Sequence, residues 1–140
     1  MEDKQIITIK ATVNAQVEKV WKYWTEPEYI KKWNSASEDW HTPLAENDLR
    51  VGGKFLSRME AKDGSFGFDF GGIYDEVELY KVIAYTLEDG RKVKINFIGG
   101  EKVTEITETF EAENENSIEM QQSGWQAILD SFKKYAEQLL

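Results

Sequence analysis

The stretch from residue 37 to residue 113 constrains the fold most, because it consists of short segments in which apolar and polar residues alternate. Alternation with a period of two residues predicts half-buried β-strands. The segments cover residues 40–45, 54–62, 66–77, 79–87, 91–98 and 103–112. Several are separated by short glycine-containing turns, such as Asp63-Gly64 and Asp89-Gly90, which join antiparallel neighbours. The pattern therefore predicts an antiparallel meander of about six strands.

One more strand and two short helices are predicted before this meander. Residues 5–13 alternate and form the seventh strand. A helical stripe follows with spacing i, i+3, i+4 and i+7, made by Val17, Val20, Trp21 and Trp24. Asn14 is the expected N-cap of this helix. Thr25 and Glu28 have the spacing of a capping box, which predicts a second helix that ends near Trp33.

A long amphipathic helix is predicted at the end of the chain. Asn116, with Glu119 three residues later, is its expected start. Its apolar stripe consists of Trp125, Ile128, Leu129, Phe132, Ala136 and Leu139. Gly124 lies inside it and costs about 1 kcal/mol relative to alanine, which suggests a bend or a close approach to another backbone. The expected fold is α+β: a seven-stranded antiparallel sheet curled around a helix of about 30 Å.

The residues on the concave side of this sheet are rich in aromatic rings. Large flat rings interdigitate less densely than branched aliphatic side chains, so such a lining favours a cavity for a flat apolar ligand. An aromatic core packed without a void would give the same pattern, and this alternative stays open. The expected walls of the cavity are Trp33, Trp40, Phe55, Met59, Phe68, Phe70, Tyr74, Phe97, Trp125 and Phe132.

Three polar residues are candidates for orienting a ligand in this space. Glu108 lies between Ile106 and Phe110 on one side of the last strand, and Arg91 begins an apolar face. A buried lone charge is costly, so an Arg91–Glu108 pair at the rim of the cavity is one hypothesis. The alternative places both residues at strand ends in solvent. Gln122 in the last helix is the third candidate.

The composition excludes several other classes of function. The chain has 26 acidic and 17 basic residues and a net charge of −9, so nucleic acid and membrane surfaces are not expected partners. No apolar run is long enough to span a membrane, and the charged start is unlike a secretory signal, so a cytoplasmic location is expected. The absence of cysteine excludes disulfides and thiolate metal sites. We expect no metal and no cofactor.

Catalysis has little support in the sequence. His41 is the only histidine and cannot form a zinc site unaided. It could act as a general base or acid with Asp39, Asp69 or Tyr74 as partner, although a hydrogen-bonded strand residue is the simpler interpretation. No catalytic residue is assigned.

Several motifs resemble those of a known family. Residues 17–33 read V-x-x-V-W-x-x-W-T-E-P-E-Y-I-x-x-W, and residues 38–55, 61–72 and 123–129 (SGWQAIL) also match. The chain resembles the START-like, or SRPBCC, superfamily, which includes the birch-pollen allergens. More narrowly, it resembles the single-domain bacterial homologues of the activator of the heat-shock protein 90 ATPase. The resemblance implies one helix-grip domain over residues 1–140, with a hydrophobic cavity between sheet and helix.

The sequence leaves three functions open. The leading one is non-enzymatic binding of a small hydrophobic or aromatic molecule by a monomer or homodimer. The second is a protein-interaction module with a chaperone as possible partner, although the co-chaperones of the family carry an N-terminal domain without a counterpart here. The third is a pocket enzyme, cyclase-like or hydrolase-like, that uses His41 or a carboxylate.

Overall fold

The computed structural model describes residues 5–139, which form one antiparallel sheet and three helices. The strands are β1 (Ile6–Val13), β2 (Trp40–Asn47), β3 (Lys54–Ala61), β4 (Gly67–Glu78), β5 (Val82–Leu87), β6 (Lys92–Gly99) and β7 (Thr104–Glu111). The helices are α1 (Val17–Thr25), α2 (Pro27–Trp33) and α3 (Ile118–Gln138). The predicted α+β class and element order are confirmed. The expectation that no secretory signal is present rests partly on residues 1–4, which lie outside the described range.

The sheet is the predicted meander with β1 added at its end. Its strand order is β1-β7-β6-β5-β4-β3-β2, and all neighbours are antiparallel. The Asp-Gly turns have glycines with φ of 79° at Gly64 and 91° at Gly90, a region that residues with a Cβ avoid. The sheet curls around α3, which is the helix-grip arrangement.

Helix α3 is fixed to the free edge of β1 by hydrogen bonds. The side chain of Gln126 donates to the carbonyl of Lys10 at 3.1 Å, and that of Lys133 donates to the carbonyl of Thr12 at 2.7 Å. These bonds satisfy carbonyls that an edge strand would otherwise leave unpaired, and they cover the edge. The backbone of α3 packs closely along β1, α1 and α2, and it does not pack in this way along β3, β4 or β5. A space therefore opens on that side of the helix.

The helix caps differ from those predicted. The N-cap of α1 is Gln16, not Asn14, whose backbone N–H instead donates to the Glu137 carboxylate at 2.9 Å. Thr25 does not cap α2, because its hydroxyl donates to the carbonyl of Trp21 at 2.8 Å. Candidate capping residues are frequent in the sequence, and tertiary contacts decide which of them are used.

Helix α3 begins one residue later than predicted. Its N-cap is Ser117, whose hydroxyl accepts from the backbone N–H of Met120 at 3.1 Å, so the predicted capping box of Asn116 and Glu119 is wrong.

No helix within residues 5–139 has the length and apolar character that crossing a membrane requires.

Candidate functional site

A cavity of about 900 Å³ lies between α3, the helix pair and the inner face of β3, β4 and β5. Its apolar wall contains residues from every one of these elements. They are Trp24, Ile30, Trp33, Phe55, Met59, Phe66, Phe68, Phe70, Tyr74, Ile83, Tyr85, Met120, Trp125, Ile128 and Leu129. The volume lies within the range of small-molecule sites. The wall combines flat rings with two adaptable methionines.

The aromatic part of the wall follows from strand register. Phe70 and Tyr74 lie on one face of β4, and Phe55 on β3 and Tyr85 on β5 are their neighbours across the sheet. The ring centres of Phe55 and Tyr85 are 4.7 Å apart in an edge-to-face arrangement. Trp125 closes the wall from α3, with its ring centre 5.8 Å from that of Phe70. Edge-to-face contacts hold the rings in fixed orientations around the space.

Gly124 contributes directly to the size of the cavity. It lies on the wall, and a Cβ added there would meet no atom within 4 Å. The predicted close approach of another backbone at Gly124 is therefore wrong. Helix α3 continues through this position without interruption. A glycine here leaves open space where any larger residue would place a side chain.

The structure brings most of the predicted site residues together. The predicted residues on the cavity wall are Trp33, Phe55, Met59, Phe68, Phe70, Tyr74, Trp125, Arg91 and Glu108. Four others lie outside the cavity: Trp40, Phe97, Phe132 and Gln122.

These four residues have structural contacts instead. Phe97 packs 5.7 Å from Trp24, and the fully buried Phe132 packs 4.8 Å from the same indole, so both help to fill the end of the interior next to the helix pair. Trp40 contacts the rings of Phe66 and Phe68. Gln122 is exposed, and its side chain donates to the carbonyl of Thr8 at 3.4 Å, as part of the attachment of α3 to β1. The sequence pattern indicates which side chains point to the inner side of the sheet. It does not indicate which of them reach the cavity and which pack in the filled end of the interior.

Several wall residues were missed. Ile83 and Tyr85 alternate with half-buried residues of β5, so period-two analysis of residues 79–87 could have found them. Gln121 precedes Trp125 by one helical turn and belongs to the same stripe. Its side chain accepts from the backbone N–H of Glu113 at 2.9 Å and donates to the carbonyl of Asn116 at 2.9 Å. These bonds fix the β7–α3 loop at the mouth of the cavity.

Glu108 is the most unusual group on the wall. It is 6% exposed, and within the described part of the chain its carboxylate has no hydrogen-bond or ion-pair partner. Burial raises the pKa of Glu108 to about 8, because the charged form loses its hydration without compensation. Its carboxyl oxygens are nevertheless not completely covered by other atoms. Glu108 therefore presents an unpaired carboxyl to the cavity, and this carboxyl is mostly protonated at neutral pH.

Arg91 lies on the cavity wall but does not pair with Glu108. Its Nε donates to the carboxylate of Asp89 at 2.7 Å, across the β5–β6 turn. Burial raises the pKa of Asp89, whereas the hydrogen bonds and the charge of Arg91 lower it, and the net result is a lowered pKa. The predicted Arg91–Glu108 ion pair is wrong because a nearer carboxylate on the same turn engages the guanidinium.

Two tyrosine hydroxyls add to the polar part of the interior. The hydroxyl of Tyr74 donates to the Asn47 side-chain oxygen at 2.5 Å, and burial raises the pKa of Tyr74. Burial also raises the pKa of Tyr85, and the nearby Glu108 raises it further. Both phenols remain neutral donors at physiological pH.

His41 lies outside the cavity. It is exposed on β2, and its Nε2 is 3.9 Å from the carboxylate of Glu60. Among residues 5–139 there is no group of three or more His, Cys, Asp or Glu side chains placed to hold a metal ion. The version of the pocket enzyme that uses His41 thus lacks the geometry it needs.

A family model and a solved structure point to one family. A family model described as Activator of Hsp90 ATPase homolog 1-like protein matches residues 14–137. The solution structure of an AHSA1-like protein from Aeromonas hydrophila is 44% identical, with a TM-score of 0.90 over 96% of this chain and 94% of that chain. Chr148 from Cytophaga hutchinsonii is 56% identical, with a TM-score of 0.81 over 95% and 92% of the two chains.

A more distant structure shares only the fold. NE0264 from Nitrosomonas europaea is 20% identical, with a TM-score of 0.82 over 99% of this chain and 98% of that chain. No curated protein sequence matches the chain.

Proposed function

Since the chain belongs to the family of Activator of Hsp90 ATPase homolog 1-like proteins, whose fold suits ligand binding or an activator-like role, we propose that it binds a small hydrophobic or aromatic molecule. The ligand occupies the cavity between the sheet and α3 and is held there without chemical conversion. The observation that carries the proposal is the aromatic cavity of about 900 Å³.

Binding is driven by removal of apolar surface from water. A ligand that buries about 250 Å² of apolar surface gains roughly 6 kcal/mol, before the costs of lost translational and rotational freedom. The rings of Phe55, Phe70 and Trp125 are already held in place by one another and by the sheet. A preorganised wall loses little side-chain entropy when the ligand enters, which favours binding.

Filling the cavity from α3 tests the proposal. We expect Gly124→Leu to weaken binding of the fluorescent probe 1-pyrenemethanol by about tenfold, or roughly 1.4 kcal/mol, because the leucine side chain enters open space on the wall. Fluorescence titration of the purified protein measures the dissociation constant. Circular dichroism and denaturant unfolding show whether the variant is folded.

The matched control is Gln122→Leu, which adds a leucine to the same helix outside the cavity. It is expected to leave the affinity for 1-pyrenemethanol within about twofold of the original value. Equal weakening by both variants, or no effect of either, would contradict binding at this site.

A role as a protein-interaction module is the second candidate, and an exposed aromatic group favours it. The side chains of Phe66 and Phe68 are 63% and 40% exposed, and the ring of Trp40 contacts both. Exposed aromatic clusters often mark sites of protein contact. Addition of the protein to an Hsp90 ATPase assay tests this candidate: a saturable change in rate that Phe66→Ser abolishes would support it, and an unchanged rate would exclude it.

A further inference from the structure

Glu108 is placed to recognise a particular chemical group within the cavity. It lies near the middle of β7, directly between Ile9 of β1 and Ile95 of β6, so its own strand neighbours offer it no polar side chain. The residue as a whole is only 6% exposed, and its carboxyl is unpaired within the described residues and accessible from the cavity side. An unpaired buried polar group is costly, and a ligand that pairs with it removes that cost.

The charges on the cavity wall favour a cation as that partner. Among residues 5–139, the wall carries four acidic residues, Asp89, Glu108, Glu113 and Glu115, and a single basic residue, Arg91. Arg91 is already engaged by Asp89. Arg91 also acts on Glu113, because a hydrogen bond from the backbone of Glu115 lowers the pKa of that carboxyl and the charge of Arg91 helps to lower it. Even with Glu108 protonated, the three other acidic residues outnumber the one guanidinium, and a cleft with an excess of negative charge attracts cations.

Aromatic rings near Glu108 add to this preference. Phe110 follows Glu108 by two residues on the same face of β7, and Trp125 stacks on Phe110 with ring centres 3.9 Å apart. The indole of Trp125 is thereby held beside the part of the wall that carries Glu108. Faces of Trp, Tyr and Phe attract cations, and more strongly where water is excluded.

We propose that the ligand is an apolar amine whose positively charged nitrogen pairs with the Glu108 carboxylate while its hydrocarbon part fills the aromatic cavity. This inference rests on the proposed binding function and specifies the class of ligand. A charge-assisted hydrogen bond between ammonium and carboxylate is about twice as strong as a neutral one. The ion pair also compensates the desolvation of both charges.

Proton transfer accompanies binding, because Glu108 is mostly protonated in the empty cavity. If the ligand arrives as an ammonium ion, the carboxyl releases its proton to water. If the ligand arrives as a neutral amine, the proton passes from the carboxyl oxygen to the nitrogen.

The other charged or titratable groups that the described residues place on the wall are Tyr74, Tyr85, Asp89, Arg91, Glu113 and Glu115. The lining residues of α1, α2, β3 and α3 carry no charge.

Three probes with one ring system test the inference: 1-pyrenemethylamine, 1-pyrenemethanol and 1-pyrenecarboxylic acid. At pH 8 we expect the amine to bind at least about tenfold more tightly than the alcohol and the acid to bind least. In Glu108→Gln the advantage of the amine over the alcohol should disappear. Glu105→Gln is the matched control, because Glu105 is exposed on the opposite face of β7.

The pH dependence of the unmodified protein gives a second readout that does not depend on any variant. The affinity for the amine should rise between pH 6 and pH 8, by up to about tenfold per pH unit, because binding displaces a proton from Glu108. The affinity for the alcohol should not rise over this range.

The possible failures are distinguishable. Equal affinities for amine and alcohol, tightest binding of the acid, or an amine preference that survives in Glu108→Gln would overturn the inference and leave the proposed function in place. Absence of binding by all three probes would overturn both.

Discussion

The free energy of unfolding of the unmodified protein is expected to fall by about 3 kcal/mol between pH 5 and pH 8, and in Glu108→Gln this fall should disappear. The folded protein holds the carboxyl proton up to a pKa of about 8, whereas the unfolded chain releases it near the ordinary value of 4.5. Between these values the folded state binds more protons than the unfolded state. The free energy of unfolding therefore falls as pH rises, because ionising the buried carboxyl is costly.

Urea denaturation at a series of pH values measures this effect, with no ligand added. The variant should have an almost flat profile from pH 5 to pH 8 and should be more stable than the unmodified protein at pH 8. Carboxyls with lowered pKa values, such as Glu137 beside Lys133, influence stability at more acidic pH. The control Glu105→Gln should retain the original profile. A profile of Glu108→Gln that parallels the unmodified protein would show that Glu108 is not an unpaired buried acid.

The second large effect is a difference between two aromatic truncations. Phe132→Ala is expected to lower the free energy of unfolding by about 4 kcal/mol, because Phe132 is fully buried. Its ring centre lies 4.8 Å from that of Trp24 and 5.0 Å from that of Trp33. Phe70→Ala is expected to cost only about 1–2 kcal/mol, because one side of the Phe70 ring already faces empty space and has no partner atoms to lose.

Each substitution is the control for the other, since both change a phenylalanine to alanine and remove the same number of atoms. Denaturant unfolding at one pH measures both values. Equal losses would mean that the two rings are packed equally tightly, and the cavity at Phe70 would then be closed. A larger loss for Phe70→Ala would contradict the account in the same way.

The fold could be predicted because its signals are local and repeated. Alternation with period two identified the strands, and the Asp-Gly pairs at 63–64 and 89–90 identified hairpins. Helix starts were harder, because Asn14, Asn116 and Ser117 are all suitable caps by residue type. The choice among them depends on contacts such as the bond from the Asn14 backbone to Glu137, which are distant in sequence.

The site could be predicted only in part, because alternation assigns a face and not a depth. Phe97 and Phe70 both point inward, yet Phe97 lies in the packed end and Phe70 at the cavity. The difference arises from the position of α3 along β1, which no single segment encodes. The partner of Arg91 was missed for a related reason. Asp89 is two residues from Arg91 in sequence, and the geometry of the turn places the Asp89 carboxylate, not that of Glu108, next to the guanidinium.

The most direct test of the central claim, that a ligand enters the space beneath α3, is a methyl NMR titration of isoleucine-labelled protein with 1-pyrenemethylamine. Isoleucines are distributed over three environments. Ile30, Ile83 and Ile128 line the cavity, Ile7 and Ile106 are buried away from it, and Ile6, Ile73 and Ile98 are exposed.

If the ligand enters this space, the ring-current shifts are largest at Ile30, Ile83 and Ile128 and saturate together with a single dissociation constant. Saturable shifts confined to the exposed isoleucines, or no saturable shifts at all, would contradict entry of the ligand.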